Sequence, residues 1–457
     1  MAFQWILVLF GIVFTLVGVL AIMLPFMAGR SHLLTGWNLF LLGSINFIGI
    51  ASIQSGLAWA HRYVVPDQLM YIRFVAGAIT FYAVAFLVYY LFPLPRRLAA
   101  IPLKKVAIST TPCAVFLAML CLVLSMLRFF YPNIQFVGQI LIFIGINAGV
   151  FAVVFLFAAW RRQPWNVLLL MTLVFAFILA AVVSLGGFGR RDFLALLMTI
   201  PICFYWLRLR YLPPLRTLVI ASVFAGVCLL GLAGISVARH ATQSPDESPL
   251  DFAMTKLREL PAAFSGEAAQ RIIGGDTTEC SLAAIHLYTK ERPAEPFFVV
   301  RYLLVHPIPR AWYPEKPVAL GRMLVEHLLI ANVAENFTLG PGIVGHGYHE
   351  GGLLMLIFYA VLIASGFRLL DQMLVTRFEN PFLLGIFSSI SGQLIAFSRG
   401  DIGIFIVSIA AGILTGILLN WIGRAIFGTS VDVPQSTEGY GEALPPESDF
   451  AGDPVLR

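Results

Sequence analysis

The chain is 457 residues long, 59% hydrophobic and only 12% charged, with a mean hydropathy of +0.87. A soluble globular protein carries about a quarter charged residues, so that class is excluded; the apolar residues fall instead in blocks of the roughly 20 residues that a bilayer core requires. The formal net charge of +6 reports loop topology in such a chain, because Lys and Arg gather in cytoplasmic loops, and it gives no ground for nucleic-acid binding.

Taken in chain order, hydropathy predicts an all-α polytopic integral membrane protein with about eleven transmembrane helices. They fall near residues 3–27, 33–59, 69–92, 106–127, 136–160, 167–186, 193–207, 217–237, 351–370, 381–398 and 402–423. The opening MAFQWILVLFGIVF has no basic n-region and no small-residue cleavage site, so it reads as a retained helix rather than a signal peptide. Four of the five cysteines fall inside predicted helices and Cys280 falls alone in a polar loop, which suggests neither a disulfide framework nor a metal motif.

The connecting segments set the sidedness. PLPRRLAAIPLKK after the third span, WRRQPW after the fifth and RLRYLPPLR after the seventh carry the densest basic runs and occupy alternate loops, so they are assigned to the cytoplasm. By alternation the N-terminus lies outside. The chain then divides into a bundle of about eight helices over 1–238, a large extracytoplasmic loop over 239–350, about three helices over 351–427, and a disordered acidic cytoplasmic tail over 428–457.

The outer loop contains HPIPRAWYPEKP, His306 to Pro317, where four prolines forbid a continuous helix and suggest a stiff, extended backbone. The preceding FFVVRYLLV, with Trp312 and Tyr313 after it, suits a segment at the headgroup level. That description fits a simple interfacial anchor as well as a functional element.

No predicted span carries an ionisable residue clearly near its centre, which weakens a proton-coupled transporter. The cations instead collect on the outer face, against the positive-inside bias: Arg190 and Arg191 in GGFGRRD, Arg399 in FSRGD, and Arg301, Arg310, Lys316 and Arg322 in the large loop. Arginine presents a planar fork of donors that fits phosphate oxygens in pairs, so such a set would receive a lipid-linked diphosphate. The plainer reading is local pairing, Arg191 with Asp192 or Arg399 with Asp401.

GPGIVGHGYHEGG supplies His346, His349 and Glu350, and Glu326, His327 and Glu335 precede it. Histidine can take and return a proton near neutral pH; the default reading for each of these histidines is nonetheless a solvated polar loop. The glycines argue against a helix here, and a metal site is disfavoured for lack of Cys or Asp partners. There is no DxD, no nucleotide phosphate loop, and no acid in the first loop, AGRSHL.

SLGGFGRRDFLALL, HPIPRAWYPEKP and GQLIAFSRGDIGIF, in that order around a late outer loop, resemble the bacterial O-antigen or oligosaccharide repeat-unit polymerases (Wzy-type). The resemblance spans most of 180–420. It implies block transfer of a glycan between undecaprenyl-diphosphate carriers at the outer face of the bacterial inner membrane, needing no cofactor, nucleotide or metal. Arg190, Arg191, Arg310, Lys316 and Arg399 would hold the diphosphate. His306, His346, His349 and Glu350 are the candidates for the catalytic base. The implied partners are the undecaprenyl-diphosphate-linked oligosaccharide, membrane lipid, and a chain-length regulator and flippase of the same pathway. A lipid-linked-glycan ligase is the nearest alternative, and a flippase or transporter the next.

Overall fold

The computed structural model describes residues 4–58, 61, 63–106, 110–130, 135–185, 190–238, 276–310, 312–328, 330 and 338–432. The glycine-rich half of the Arg190 turn (186–189), Glu335, residues 239–275 of the predicted large loop and the tail from 433 lie outside the described residues.

Helix occupies each of the eleven predicted segments. The long helices are α1 (Gln4–Met27), α2 (Gly36–Leu57), α3 (Gln68–Leu91), α5 (Thr111–Phe130), α6 (Gln135–Arg162), α7 (Val167–Leu185), α8 (Arg190–Leu207), α9 (Pro214–Ala238), α14 (Leu353–Thr376), α15 (Pro381–Ala396) and α16 (Ile402–Phe427). Short helices fill in the connections: α4 (Leu94–Ala99), α10 (Thr277–His286), α11 (Phe298–Val305), α12 (Leu320–His327) and α13 (Gly342–Glu350). Eight helices among the described residues are long and apolar enough to cross a membrane, and α5 and α15 contribute shorter apolar stretches. The protein is therefore a helical membrane protein. Its one sheet among the described residues is a ribbon of Leu103–Val106 against Thr429–Asp432, antiparallel, which ties the start of the C-terminal tail to the loop before α5.

Helix α15 is the centre of the bundle. It packs on α2, α6, α8 and α16, and nearly every residue of it is buried. Its sequence, PFLLGIFSSISGQLIA, explains how. With no hydrophobic drive between helices inside a lipid bilayer, association relies on close backbone approach across small residues. A Cβ on Gly392 would lie 1.9 Å from the Arg191 carbonyl oxygen of α8, and one on Gly385 would lie 2.3 Å from the Phe151 ring of α6. From the other side, a Cβ on Gly43 of α2 would lie 1.6 Å from the Ile395 carbonyl.

The two ends of the bundle differ in chemistry. At one end the three basic loops gather: Arg377 donates to the carbonyls of Ala99 and Ile101 at 2.7 and 2.6 Å, and Arg210 stacks on Phe378. Asp371 of α14 is buried here, accepting from the Gly36 and Trp37 amides at 2.5 and 3.1 Å and from the Tyr89 hydroxyl at 2.7 Å. A carboxylate at the first N–H groups of α2 satisfies donors that the helix itself leaves open. Asp371 lies towards the end of its helix, just past the predicted span, where the terminus of α2 supplies the compensating dipole.

The opposite end carries the described part of the large loop. It is not an extended cover: α10 through α13 pack into the bundle, and Cys280, expected in a polar loop, is buried in α10. The proline segment is non-helical as expected, yet it is wound into turns rather than extended. Trp312 and Tyr313 amides both donate to the Pro309 carbonyl, and the Lys316 ammonium donates to the carbonyls of His306 and Ile308. Trp312 remains 79% exposed, as an interfacial anchor would be.

Substituting Gly392→Ala or Gly43→Ala is expected to cost about 1–3 kcal/mol through backbone overpacking, seen as a lower melting temperature of the solubilised protein. Gly226→Ala, where nothing lies within 4 Å of the added carbon, should melt like the parent.

Candidate functional site

The site is built on the turn Phe397–Asp401 between α15 and α16. Asp401 is the N-cap of α16, accepting from the Gly403 amide at 3.0 Å through Oδ1. Its Oδ2 accepts from the Gly321 amide at 3.1 Å, which binds α12 to the same point. The Arg399 carbonyl accepts from the Gly342 amide at 3.2 Å and so fixes the start of α13. Gly342 has φ +65°, a left-handed conformation that favours glycine.

The segment expected to be a solvated glycine-rich loop is a wholly buried helix, α13. Its glycines do not break the helix; they let it be enclosed. A Cβ on Gly345 would meet the Ala284 side chain of α10 at 3.1 Å, and one on Gly347 would meet Leu356 of α14 at 2.3 Å. Helical spacing then puts His346 and Glu350 on one face. His346 Nδ1 is 3.8 Å from Glu350 Oε1, and Nε2 is 3.5 Å from Asp401 Oδ1. The Ile402 amide donates to Nε2 at 3.2 Å.

Burial alone would lower the pKa of His346, but the Asp401 and Glu350 carboxylates outweigh it and raise it to about 9. The Ile402 amide can donate to Nε2 only when that nitrogen is unprotonated, so this contact opposes the charged ring that the two carboxylates favour. Burial works against the charge on Asp401 too, yet the His346 ring and the donated amides hold its pKa below the usual carboxylate range.

His349, one turn away and equally buried, behaves in the opposite sense. Its ring meets Tyr288 and Phe298 edge-on at 4.3 and 4.8 Å, with Glu295 Oε1 3.8 Å from Nε2. Neither ring nitrogen has a hydrogen-bond partner among the described residues. Burial, and then the neighbouring His346 charge, push its pKa down to about 3. Glu350 Oε2 accepts from the Val299 amide at 3.3 Å and from the Tyr359 hydroxyl at 2.6 Å.

Two of the predicted cations border the same turn. The Arg191 guanidinium lies over the Phe405 ring at 4.3 Å, and that of Arg399 over Phe47 at 5.5 Å. Arg190 and Arg191 open α8, whose start is held by the Gly392 contact and by Gln393 donating to Asp192 Oδ1 at 2.9 Å. The proline segment docks through His306, whose ring packs on Tyr302 at 5.1 Å, and Tyr302 in turn lies against Gly403. Burial and then Asp401 raise the Tyr302 pKa to about 12, with Arg310 opposing. The pKa of His306 is lowered by burial and then by Lys316. Arg310 Nη1 donates to the Lys316 carbonyl at 3.2 Å. Lys316, with its ammonium on loop carbonyls, closes this segment rather than projecting from it.

The structure therefore brings His346, His349, Glu350, Arg191 and Arg399 around one turn, places His306 and Arg310 in the segment docked beside it, and leaves Arg190 half-buried at the head of α8. Sequence reasoning treated Asp401 only as a possible partner of Arg399, although an Asp directly before an apolar helix is a readable N-cap. It also missed a second polar network at this end. His61 Nδ1 lies 2.8 Å from Glu279 Oε1, His61 Nε2 2.9 Å from the Tyr71 hydroxyl, and Ser55 donates to Glu279 at 2.5 Å. No spacing rule reaches that pair, whose members come from opposite halves of the chain. Among the described residues, no group of three or more His, Cys, Asp or Glu side chains is arranged to hold a metal ion.

The two buried histidines give opposite pH dependences. His346, with its pKa raised, contributes stability that is full below about pH 6.5 and is lost as pH rises through about 9. His349, held neutral, loses stability for the fold as pH falls below about 6.5. Melting temperatures from pH 5 to 9 should show His349→Phe flattening the acid limb and His346→Gln flattening the alkaline limb, each by at most about 1.4 kcal/mol per pH unit. Unchanged slopes in both variants would contradict these assignments. No family model matches the chain, and neither a curated protein nor a solved structure shows significant similarity to it.

Proposed function

We propose that the protein polymerises lipid-linked oligosaccharide repeat units at the extracytoplasmic face of the bacterial inner membrane, by block glycosyl transfer from an undecaprenyl-diphosphate carrier. The observation that carries this reading is the placement of Arg191 and Arg399 around the turn whose Asp401 holds His346. Cations beside a buried acid–histidine cluster match the two needs of the reaction, charge neutralisation on a departing diphosphate and proton removal from an acceptor hydroxyl. The gathering of the three basic loops at the other end supports an N-terminus outside and a C-terminus in the cytoplasm.

In this reading the bond from the glycan's anomeric carbon to the diphosphate breaks as the bond to the acceptor oxygen forms. Arg191, Arg399 and Arg310 take the diphosphate charge. The acceptor proton passes to His306, which sits in the docked segment beside Arg310 and, unlike the wholly buried His346, His349 and Glu350, is partly exposed. Asp401 and Glu350 position His346 rather than meeting substrate. A ligase would use the same chemistry on a different acceptor. A flippase or transporter gains some support from the buried ionisable groups, Asp371 and the His346 cluster, that the sequence did not reveal.

Deleting the gene in its host and resolving single repeats on a gel separates these readings. The expected result is collapse of the ladder to one repeat unit. Arg191→Ala, Arg399→Ala and Arg310→Ala should each fail to restore it, with losses of roughly 10²–10³ in rate. Full-length chains made by these variants would overturn the assignment. Polymer retained on its lipid carrier would indicate a ligase, and repeat units held in the cytoplasmic leaflet a flippase.

A further inference from the structure

At the end of the bundle that carries the basic loops, far along α15 from the Asp401 turn, a cavity of about 390 Å³ opens between α5, α6, α8 and α15. That volume falls within the range of small-molecule pockets, about 300–1,000 Å³. Its inner wall is apolar, formed by Val154, Phe155, Leu207 and Leu384, and its rim carries Arg161 and Arg162 with a single acid, Glu379. A third cation, Arg210, stacks on Phe378 beside that rim.

We infer that this cavity is a binding site for one anionic phospholipid, with the phosphate on Arg161 and Arg162 and the upper acyl chain along the apolar wall. Three observations choose the occupant. The rim is net positive and the wall apolar, a combination that fits an amphiphile with an anionic head. The rim also lies at the headgroup level, because α6 ends there with Trp160 in its last turn and the 86% exposed Trp165 just beyond it, as interfacial tryptophans do. Finally, basic pockets between transmembrane helices on the face richest in Lys and Arg recognise anionic lipid headgroups. The site does not depend on the glycosyl-transfer reading. It would hold the C-terminal end of α6 against the start of α15, and so steady the helix on which the Asp401 turn is built.

The test uses the full chain in a neutral detergent, with phosphatidylglycerol, phosphatidylcholine and inorganic phosphate as probes. Phosphatidylglycerol should raise the melting temperature and be retained in native mass spectra, phosphatidylcholine should do so weakly, and phosphate should do nothing. Arg161→Gln/Arg162→Gln should weaken phosphatidylglycerol binding by roughly thirtyfold, the equivalent of about 1 kcal/mol per arginine. Arg96→Gln/Arg97→Gln, an equal loss of charge elsewhere at the same end, should leave it intact. Ala158→Leu, which narrows the cavity without touching charge, should also reduce retained lipid, and gives a second reading if the arginine variant does not fold. Equal binding of both lipids, full binding by the double arginine variant, or the same stabilisation by phosphate alone would each overturn the proposal.

Discussion

Close backbone contact along α15 is the constraint on which the rest of the molecule depends. A 16-residue helix buried among four neighbours has no lipid-facing side to spare. It is accommodated because Gly385 and Gly392, with the serines between them, leave no side chain where another helix must pass. The contact at Gly392 falls on the carbonyl of Arg191, so the packing that centres the bundle also sets where the arginine-bearing end of α8 meets the turn after α15. A larger residue there would move a cation as well as a helix.

From that turn this end of the bundle is organised by satisfying backbone donors. Asp401 caps α16 and reaches α12, while the Arg399 carbonyl starts α13. His346 is enclosed as a result, between a carboxylate on its own helix and one at the head of α16. A buried charge is sustained only when paired, and here the pairing divides two neighbouring histidines into unlike states. His346 holds a proton that two carboxylates favour, and His349, in an aromatic slot beside that charge, is kept neutral. Environments that split equivalent groups in this way are what acid–base chemistry requires, although structural ion pairs perturb groups similarly.

The helical membrane architecture was legible because apolar block length is a strong signal and each block became helix. Arg191 and Arg399 stood out for a different reason, as cations in short turns alternate to the three basic loops, and both border the Asp401 turn. What the sequence hid was enclosure. GPGIVGHGYHEGG reads as a loop because isolated glycines disfavour helix, and only the facing surfaces of α10 and α14 turn that cost into close packing. Likewise the four prolines ruled out helix for HPIPRAWYPEKP but did not specify its turns, which are closed by a lysine lying beyond the turn it serves. Asp371 and the His61–Glu279 pair escaped because their partners are hundreds of residues away.

The central claim is that the corner around Asp401 transfers a glycan from a lipid diphosphate. Its most direct test is to reconstitute the purified protein in liposomes with an undecaprenyl-diphosphate-linked oligosaccharide, and to count lipid diphosphate released against glycosidic bonds formed. The account predicts one for one, with no nucleotide added, and loss of both products in an Arg191→Ala/Arg399→Ala variant that melts like the parent. Bond formation undiminished in that variant would contradict it, as would diphosphate release with no new bond.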